Sequence, residues 1–281
     1  QVEKFLQDHN VRIKMPDVCP PSLVNGFSAI LPLAFALIPL YALEVIISTS
    51  TGGAMGICSG FMAILSAPLN ALTSVPGMFV LCGFAALLWC FGIHGNMVLV
   101  SVILPMSIQA ATANAAAYAA GGYDALVFYP IALYGSMAIC GGTGNTLPLL
   151  IFGLKAKSEQ IKAISKIALI PGWFGINEPV TFGMPIMYNP ILCIPYVLNI
   201  FVVMLCTLIG YKVGFLVPGF VPIVTLMPMG FKSFLSTLRW QNAIWDYLMI
   251  IPAGLVWYPF FKVYDNQLYN KEQEALAAEA E

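Results

Sequence analysis

Five apolar runs dominate this chain and limit what it can fold into: Leu23–Ile47, Met78–Ile103, Leu126–Leu154, Pro190–Tyr211 and Tyr247–Val263. Each approaches or exceeds the ~20 residues a helix needs to cross the hydrocarbon of a bilayer. Backbone in that medium has no water to bond, so these runs imply an all-α, polytopic membrane protein. Composition agrees, with 59% hydrophobic and 9% charged residues, against about 25% charged in a soluble domain. The formal net charge is −1. No basic stripe interleaves with aromatics, so nothing points to nucleic acid.

Every run is interrupted by Gly or Pro. Between them lie apolar pieces too short or too broken to cross cleanly: Gly56–Leu72, Pro105–Ala120, Ile167–Asn189 and Val213–Gly230. Such pieces suit re-entrant hairpins or interfacial helices, because broken backbone at membrane depth is stable only where protein or a water-filled cavity shelters it. Two re-entrant segments are expected, near residues 89–120 and 167–189, within a transmembrane transport domain of residues 23–263. The loop "KAKSEQIKAISK", Lys155 to Lys166, carries four lysines and one glutamate, and the positive-inside tendency places it in the cytoplasm. The polar tail, residues 264–281, reads as a solvated helical end on the same side. Trp257, Tyr258, Phe260 and Phe261 around Lys262 read as an interfacial aromatic belt. Residues 1–22 read as a loop or linker. With no initiator Met and no signal-like segment, the chain is expected to be the C-terminal part of a longer protein.

The cysteines (Cys19, Cys58, Cys82, Cys90, Cys140, Cys193 and Cys206) show no CxxC or CxH spacing and lie mostly in apolar runs. They read as small buried hydrophobes rather than disulfides or metal ligands. His9 and His94 are far apart, so neither a metal site nor a cofactor is expected.

Two stretches echo each other. Trp89 to Asn96 reads "WCFGIHGN" and Trp173 to Pro179 reads "WFGINEP". Each has a Trp shortly before Phe-Gly-Ile, then a polar residue, His94 or Asn177. A structural repeat is one explanation, and transporters often bind substrate where repeats meet on broken helices.

Ionisable groups are costly in a bilayer. Five lie in or beside apolar runs: Glu44, His94, Asp124, Glu178 and Asp246. Asp124 reads as a loop residue, Asp246 as the cap of its own span, and Glu44 as structural. Glu178 differs. Pro179 suits the first turn of a new helix, which leaves Asn177 and Glu178 at its start, where the dipole favours an anion. A simple N-cap is the plain alternative, but Asn177 already supplies one. A carboxylate there can accept a hydrogen bond or a proton from a sugar hydroxyl. His94 sits between glycines in "GIHGN", which implies unusual backbone or close approach. It is either a core histidine bonded to a carbonyl or a site residue. Trp89, Trp173, Trp240 and Trp245 could stack on a sugar, although packing explains each singly. "CGGTGNTLP", Cys140 to Pro148, lacks the ending of a phosphate loop. It reads as small-residue helix packing or cavity lining.

"GINEPV", Gly175 to Val180, with "FGMPIMYNPILCIPY" after it, resembles the signature of membrane IIC components of phosphotransferase-system sugar permeases, in the lactose/cellobiose/chitobiose group. "WCFGIHGN" and "LPLLIFGLKAKSEQIKAISK" resemble that group too. The resemblance covers essentially the whole chain but only the later two-thirds of such proteins. It implies a glucose-superfamily IIC fold, a multi-pass protein of the bacterial plasma membrane that dimerises through the earlier helices. It implies that a β-linked disaccharide is carried inward and phosphorylated at its 6-hydroxyl by a phosphocysteine on a separate IIB, itself supplied by IIA. Glu178 and His94 then lie by that hydroxyl, Asn177 contacts the sugar, and Trp89 and Trp240 line the pocket. An ion-coupled sugar transporter, with Glu178 as proton carrier, and an inactive truncated product are the alternatives.

Overall fold

The computed structural model describes residues 30–53, 56 and 74–280, and every regular element among them is helical. The chain divides into two units, residues 1–70 and 71–281. In the first, α1 (Ile30–Ser50) is apolar nearly throughout, and its residues 32–50 are long and apolar enough to cross a membrane. A Cβ placed on Gly56 would fall 2.0 Å from Oε1 of Glu44. The Glu44 carboxylate therefore lies close against the main chain at Gly56. The remainder of the expected piece Gly56–Leu72, and Cys19 and Cys58, lie outside the described residues.

The second unit contains α2 (Val75–Cys90), α3 (Gly95–Gly121), two 3-10 stretches (Gly122–Ala125 and Pro130–Ala138), α4 (Leu147–Gly153), α5 (Glu159–Trp173), α6 (Glu178–Gly183), α7 (Pro190–Lys212), α8 (Phe231–Thr237), α9 (Trp240–Leu248) and α10 (Ile250–Ala280). Asn189 caps α7 by accepting from the Ile191 amide at 3.1 Å, with Pro190 beginning the first turn. One stripe of α7 is buried: Leu192, Tyr196, Asn199, Ile200, Val203, Met204, Thr207 and Gly210. Its helical spacing sets this face against α2, α10 and the Pro130–Ala138 stretch. Ile194, Leu198, Leu205 and Ile209 on the other side are exposed. Two polar side chains of the stripe bond main chain: Asn199 Nδ2 donates to the Ala253 carbonyl of α10 at 2.9 Å, while its buried Oδ1 has no partner among the described residues, and Thr207 Oγ1 donates to Val203 O at 2.9 Å. Residues 190–212 and 240–278 are the other two stretches long and apolar enough to cross.

Two expected spans are not continuous. Met78–Ile103 is cut at Phe91–His94 into α2 and α3, and Pro105 lies inside α3 rather than starting a separate piece. Leu126–Leu154 becomes 3-10 turns, an irregular loop and the short α4. The cause is local. Gly141, Gly142, Gly144 and Asn145 all have positive φ, at 95°, 79°, 82° and 51°, and a left-handed run cannot continue a right-handed helix. "CGGTGN" is therefore a fully buried loop, not a helix-packing face. Its polar groups are met internally. Asn145 Oδ1 accepts from the Cys140 amide at 3.0 Å, its Nδ2 donates to Ser136 O at 3.2 Å, and Thr146 Oγ1 donates to Gly141 O at 2.6 Å. The indole of Trp257 donates to the Gly144 and Asn145 carbonyls at 3.2 and 3.1 Å. Trp257 is thus a wholly buried clamp on this loop and not part of an interfacial belt.

The Lys155–Lys166 loop and the tail pack on each other. Asp265 accepts from the amides of Lys157 and Ser158, each at 3.0 Å. Glu272 accepts from Ser158 Oγ at 2.6 Å and from the amides of Glu159 and Gln160 at 3.1 and 3.2 Å. Two carboxylates of α10 therefore cover the N-terminus of α5, where free amides and the helix dipole favour negative charge. Loop and tail share one side of the molecule.

Candidate functional site

The two echoes fold alike. Helix α2 ends at Phe91, Gly92 turns with φ +81°, and the amides of Gly92 and Ile93 bond the carbonyls of Trp89 and Leu88. Helix α5 ends at Phe174, Gly175 turns with φ +82°, and the amides of Gly175 and Ile176 bond Gly172 and Pro171. Both are Schellman endings that require a left-handed residue, which explains a glycine after each Phe. The polar residue that follows stands at the N-cap position of the next helix, but the two differ there: the His94 side chain caps α3, whereas Asn177 makes no side-chain capping bond to α6, contrary to the expectation that it supplies the cap. Gly95 answers a different need. A Cβ there would fall 2.0 Å from the Ala85 carbonyl, so α3 starts directly against the backbone of α2.

The two hairpin turns meet. His94 Nε2 stands 3.8 Å from Glu178 Oε1, with the side chains 33% and 45% exposed. Nδ1 of His94 accepts from the Met97 amide at 3.2 Å. A ring nitrogen that accepts carries no proton, so Nε2 is the N–H that faces the carboxylate. At 3.8 Å the two groups do not bond directly. An oxygen ~2.8 Å from each fits over the gap. A hydroxyl placed there receives a bond from the imidazole and donates one to Glu178, so the polarity suits an alcohol.

Trp89 lies beside His94, with ring centroids 4.2 Å apart and planes tilted by 49°. It is 3% exposed, and its buried Nε1 has no partner among the described residues. The indole backs the imidazole from the core side. Asn177, also buried, gives its Nδ2 to Thr143 O at 2.8 Å and lies 3.4 Å from Tyr196 Oη. A Cβ on Gly142 would meet Asn177 Cβ at 2.9 Å. The glycine loop and the turn before Glu178 are thus one packed body. Trp240, the first residue of α9, is 59% exposed. No contact joins it to His94 or Glu178.

Tyr188 was not legible in the sequence as a site residue. Its amide bonds Cys90 O at 2.9 Å and its Oη bonds Phe91 O at 2.8 Å. The segment after α6 thereby grips the turn of the first hairpin. A non-glycine φ of +57° accompanies this contact. Asp246 does not cap its own helix. It reaches back to accept from Ser233 Oγ at 2.6 Å and the Gly230 amide at 3.2 Å, at the start of α8. Among the described residues no three His, Cys, Asp or Glu side chains gather where they could hold a metal ion.

The family model for "Phosphotransferase system, EIIC" matches residues 2–199. The chain is similar to the "Lichenan permease IIC component" of Bacillus subtilis, at 30% identity over 279 residues, covering 98% of this chain and 61% of that protein. It is similar to the "PTS system oligo-beta-mannoside-specific EIIC component" of the same organism, at 30% over 287 residues, covering 99% and 63%. It matches the "PTS system lactose-specific EIICB component" of Streptococcus mutans at 30% over 298 residues, covering 97% and 48%. Among solved structures it resembles the transporter ChbC, "the IIC component from the N,N'-diacetylchitobiose-specific phosphotransferase system". The TM-score is 0.72 and the identity 29%, covering 97% of this chain and 63% of that one. The chain thus spans less than two thirds of each relative. Its all-α architecture and apolar helices agree with these matches, and this chain belongs to the EIIC family of the phosphotransferase system, a family of integral membrane proteins.

Proposed function

We propose that this protein is the permease component of a phosphoenolpyruvate-dependent phosphotransferase system. In this reading it binds a β-linked disaccharide of the cellobiose, chitobiose or lactose type and presents its 6-hydroxyl to the phosphocysteine of a separate IIB, which IIA recharges. The observation that carries the proposal is the 3.8 Å gap between His94 Nε2 and Glu178 Oε1. The sugars in the relatives' names, all β-linked, support the substrate class.

Phosphoryl transfer asks a protein mainly to position and to stabilise charge. The hydroxyl oxygen receives a bond from His94, which aims its lone pair. Glu178 accepts the hydroxyl proton as the oxygen attacks phosphorus. The P–S bond to IIB then breaks, and the cysteine leaves as thiolate. Asn177 holds the turn that carries Glu178, and Trp89 holds the imidazole. Trp240 offers an open ring to the sugar.

The test is transfer in membrane vesicles carrying the protein, with phosphorylated IIB and a panel of β-disaccharides. Glu178→Gln keeps the shape but cannot take the proton. It should lower transfer by about 100-fold or more while sugar binding survives. Normal transfer by this variant refutes the assignment. Accumulation of unmodified sugar that follows a pH gradient marks ion-coupled transport instead.

A further inference from the structure

We infer that Asp246 and Tyr247, neighbours on α9, form a latch that positions the second hairpin and sets where Glu178 sits. The inference rests on the transfer reading above and names residues that neither the family signature nor the site geometry includes.

Three bonds close a ring around Trp173, the last residue of α5. The Met229 amide donates to Trp173 O at 2.9 Å. Tyr247 Oη donates to Met229 O at 2.9 Å and accepts from Trp173 Nε1 at 3.3 Å. The ring of Trp173 therefore bonds the phenol directly, and its carbonyl is tied to the same phenol through Met229. The residue after Met229, Gly230, has φ +83°, and a Cβ there would lie 2.6 Å from Tyr247 Cε2. Asp246 holds that same glycine from the other direction through its amide, and holds α8 through Ser233. Asp246 is 7% exposed, and these donors offset part of the cost of burying its polar oxygens.

The Phe-Gly-Ile turn begins one residue after Trp173, and Glu178 begins α6 directly after it. At its other end the turn is held by Asn177 on the glycine loop. Glu178 is thus suspended between two anchors, the glycine loop on one side and the latch on α9 on the other. Release of the latch frees the Trp173 end and lets the carboxylate drift from the hydroxyl. Small misplacements of a reacting group cost rate far more than affinity.

The test is a double-mutant cycle on the protein in vesicles, reading sugar KM and the maximal transfer rate from phosphorylated IIB. Tyr247→Phe removes both phenol bonds and keeps the ring that packs on Gly230. It should lower the maximal rate about tenfold and leave KM within about twofold. In a Glu178→Gln background the same change should lower the rate no further, because its effect passes through the lost carboxylate. Asp246→Asn, which keeps the shape and loses one acceptor, should show the same pattern more weakly. An unchanged rate in Tyr247→Phe, equal loss in both backgrounds, or a rise in KM matching the fall in rate overturns the latch. A Glu178→Gln single variant that transfers normally instead overturns the assignment of Glu178, and the two failures are read separately.

Discussion

Tyr188 Oη donates to the main-chain carbonyl of Phe91 at 2.8 Å, so the segment after the second hairpin holds the turn of the first. The contact fixes the approach of His94 to Glu178 from outside the pair. Tyr188→Phe keeps the edge-on ring contact with Phe91 and the amide bond to Cys90, and loses only the hydroxyl bond. A net loss of about 1 kcal/mol in that contact is expected. The transfer rate should fall severalfold and the midpoint of thermal unfolding only slightly, measured side by side.

Gly95→Ala should be far more damaging. The added carbon falls 2.0 Å from the backbone oxygen of Ala85, and no rotamer change relieves a clash with main chain. The hairpin must open, at a cost of about 2 kcal/mol or more. Thermal unfolding in detergent should shift down by several degrees, and sugar should fail to protect the variant. Wild-type unfolding in Gly95→Ala would show that α2 and α3 are not closely packed.

Trp257→Phe keeps most of the buried ring but takes the indole N–H from Gly144 O and Asn145 O. Two carbonyls in a buried loop then lose a donor, at about 1–3 kcal/mol. Because Asn177 leans on Thr143 of that loop, both stability and transfer should fall. Trp257→Leu should be worse, since it adds a cavity.

Asp265→Ala removes the acceptor for the amides of Lys157 and Ser158. The segment leading into α5 should then open more often. Hydrogen exchange at Lys157 and Ser158 should quicken by roughly tenfold or more, corresponding to ~1.4 kcal/mol, and less at Glu159 and Gln160, which Glu272 still holds. Exchange on the buried stripe of α7 should not change. Equal exchange in variant and wild type would mean that the tail does not hold the loop.

Trp240→Ala tests the open ring at the start of α9. With Trp240 59% exposed, its removal should barely alter thermal unfolding. A stacking role predicts a loss of about tenfold in sugar affinity by titration calorimetry. Unchanged affinity removes Trp240 from the pocket.

Much of this was legible from residue order. The Phe-Gly-Ile echo marked both hairpin turns, because a left-handed glycine is a local requirement that repeats wherever the turn repeats. Glu178 and His94 stood out because a polar group in oil needs a reason. The misreadings share one cause. Asp246 looked like a cap for its own helix, and Trp257 like an interfacial anchor, because sequence offers only neighbours along the chain. Their partners, Gly230 with Ser233 and the Gly144–Asn145 carbonyls, come from other elements. Leu126–Leu154 looked like a span because hydropathy counts side chains, whereas its four positive φ angles and internal bonding are properties of backbone.

The amino-acid sequence by itself determined that the chain is helical and membrane-embedded, and, at the two Phe-Gly-Ile echoes, where one helix stops and which residues begin the next. Those follow from apolar length, from glycine and proline stereochemistry, and from capping, all of which act over a few residues. Only the tertiary structure decided that His94 faces Glu178, that the glycine loop is the bed on which Asn177 rests, and that Tyr188 and Tyr247 hold the two turns. Such contacts join segments distant in the chain, and they exist only when packing has brought those segments to the same place.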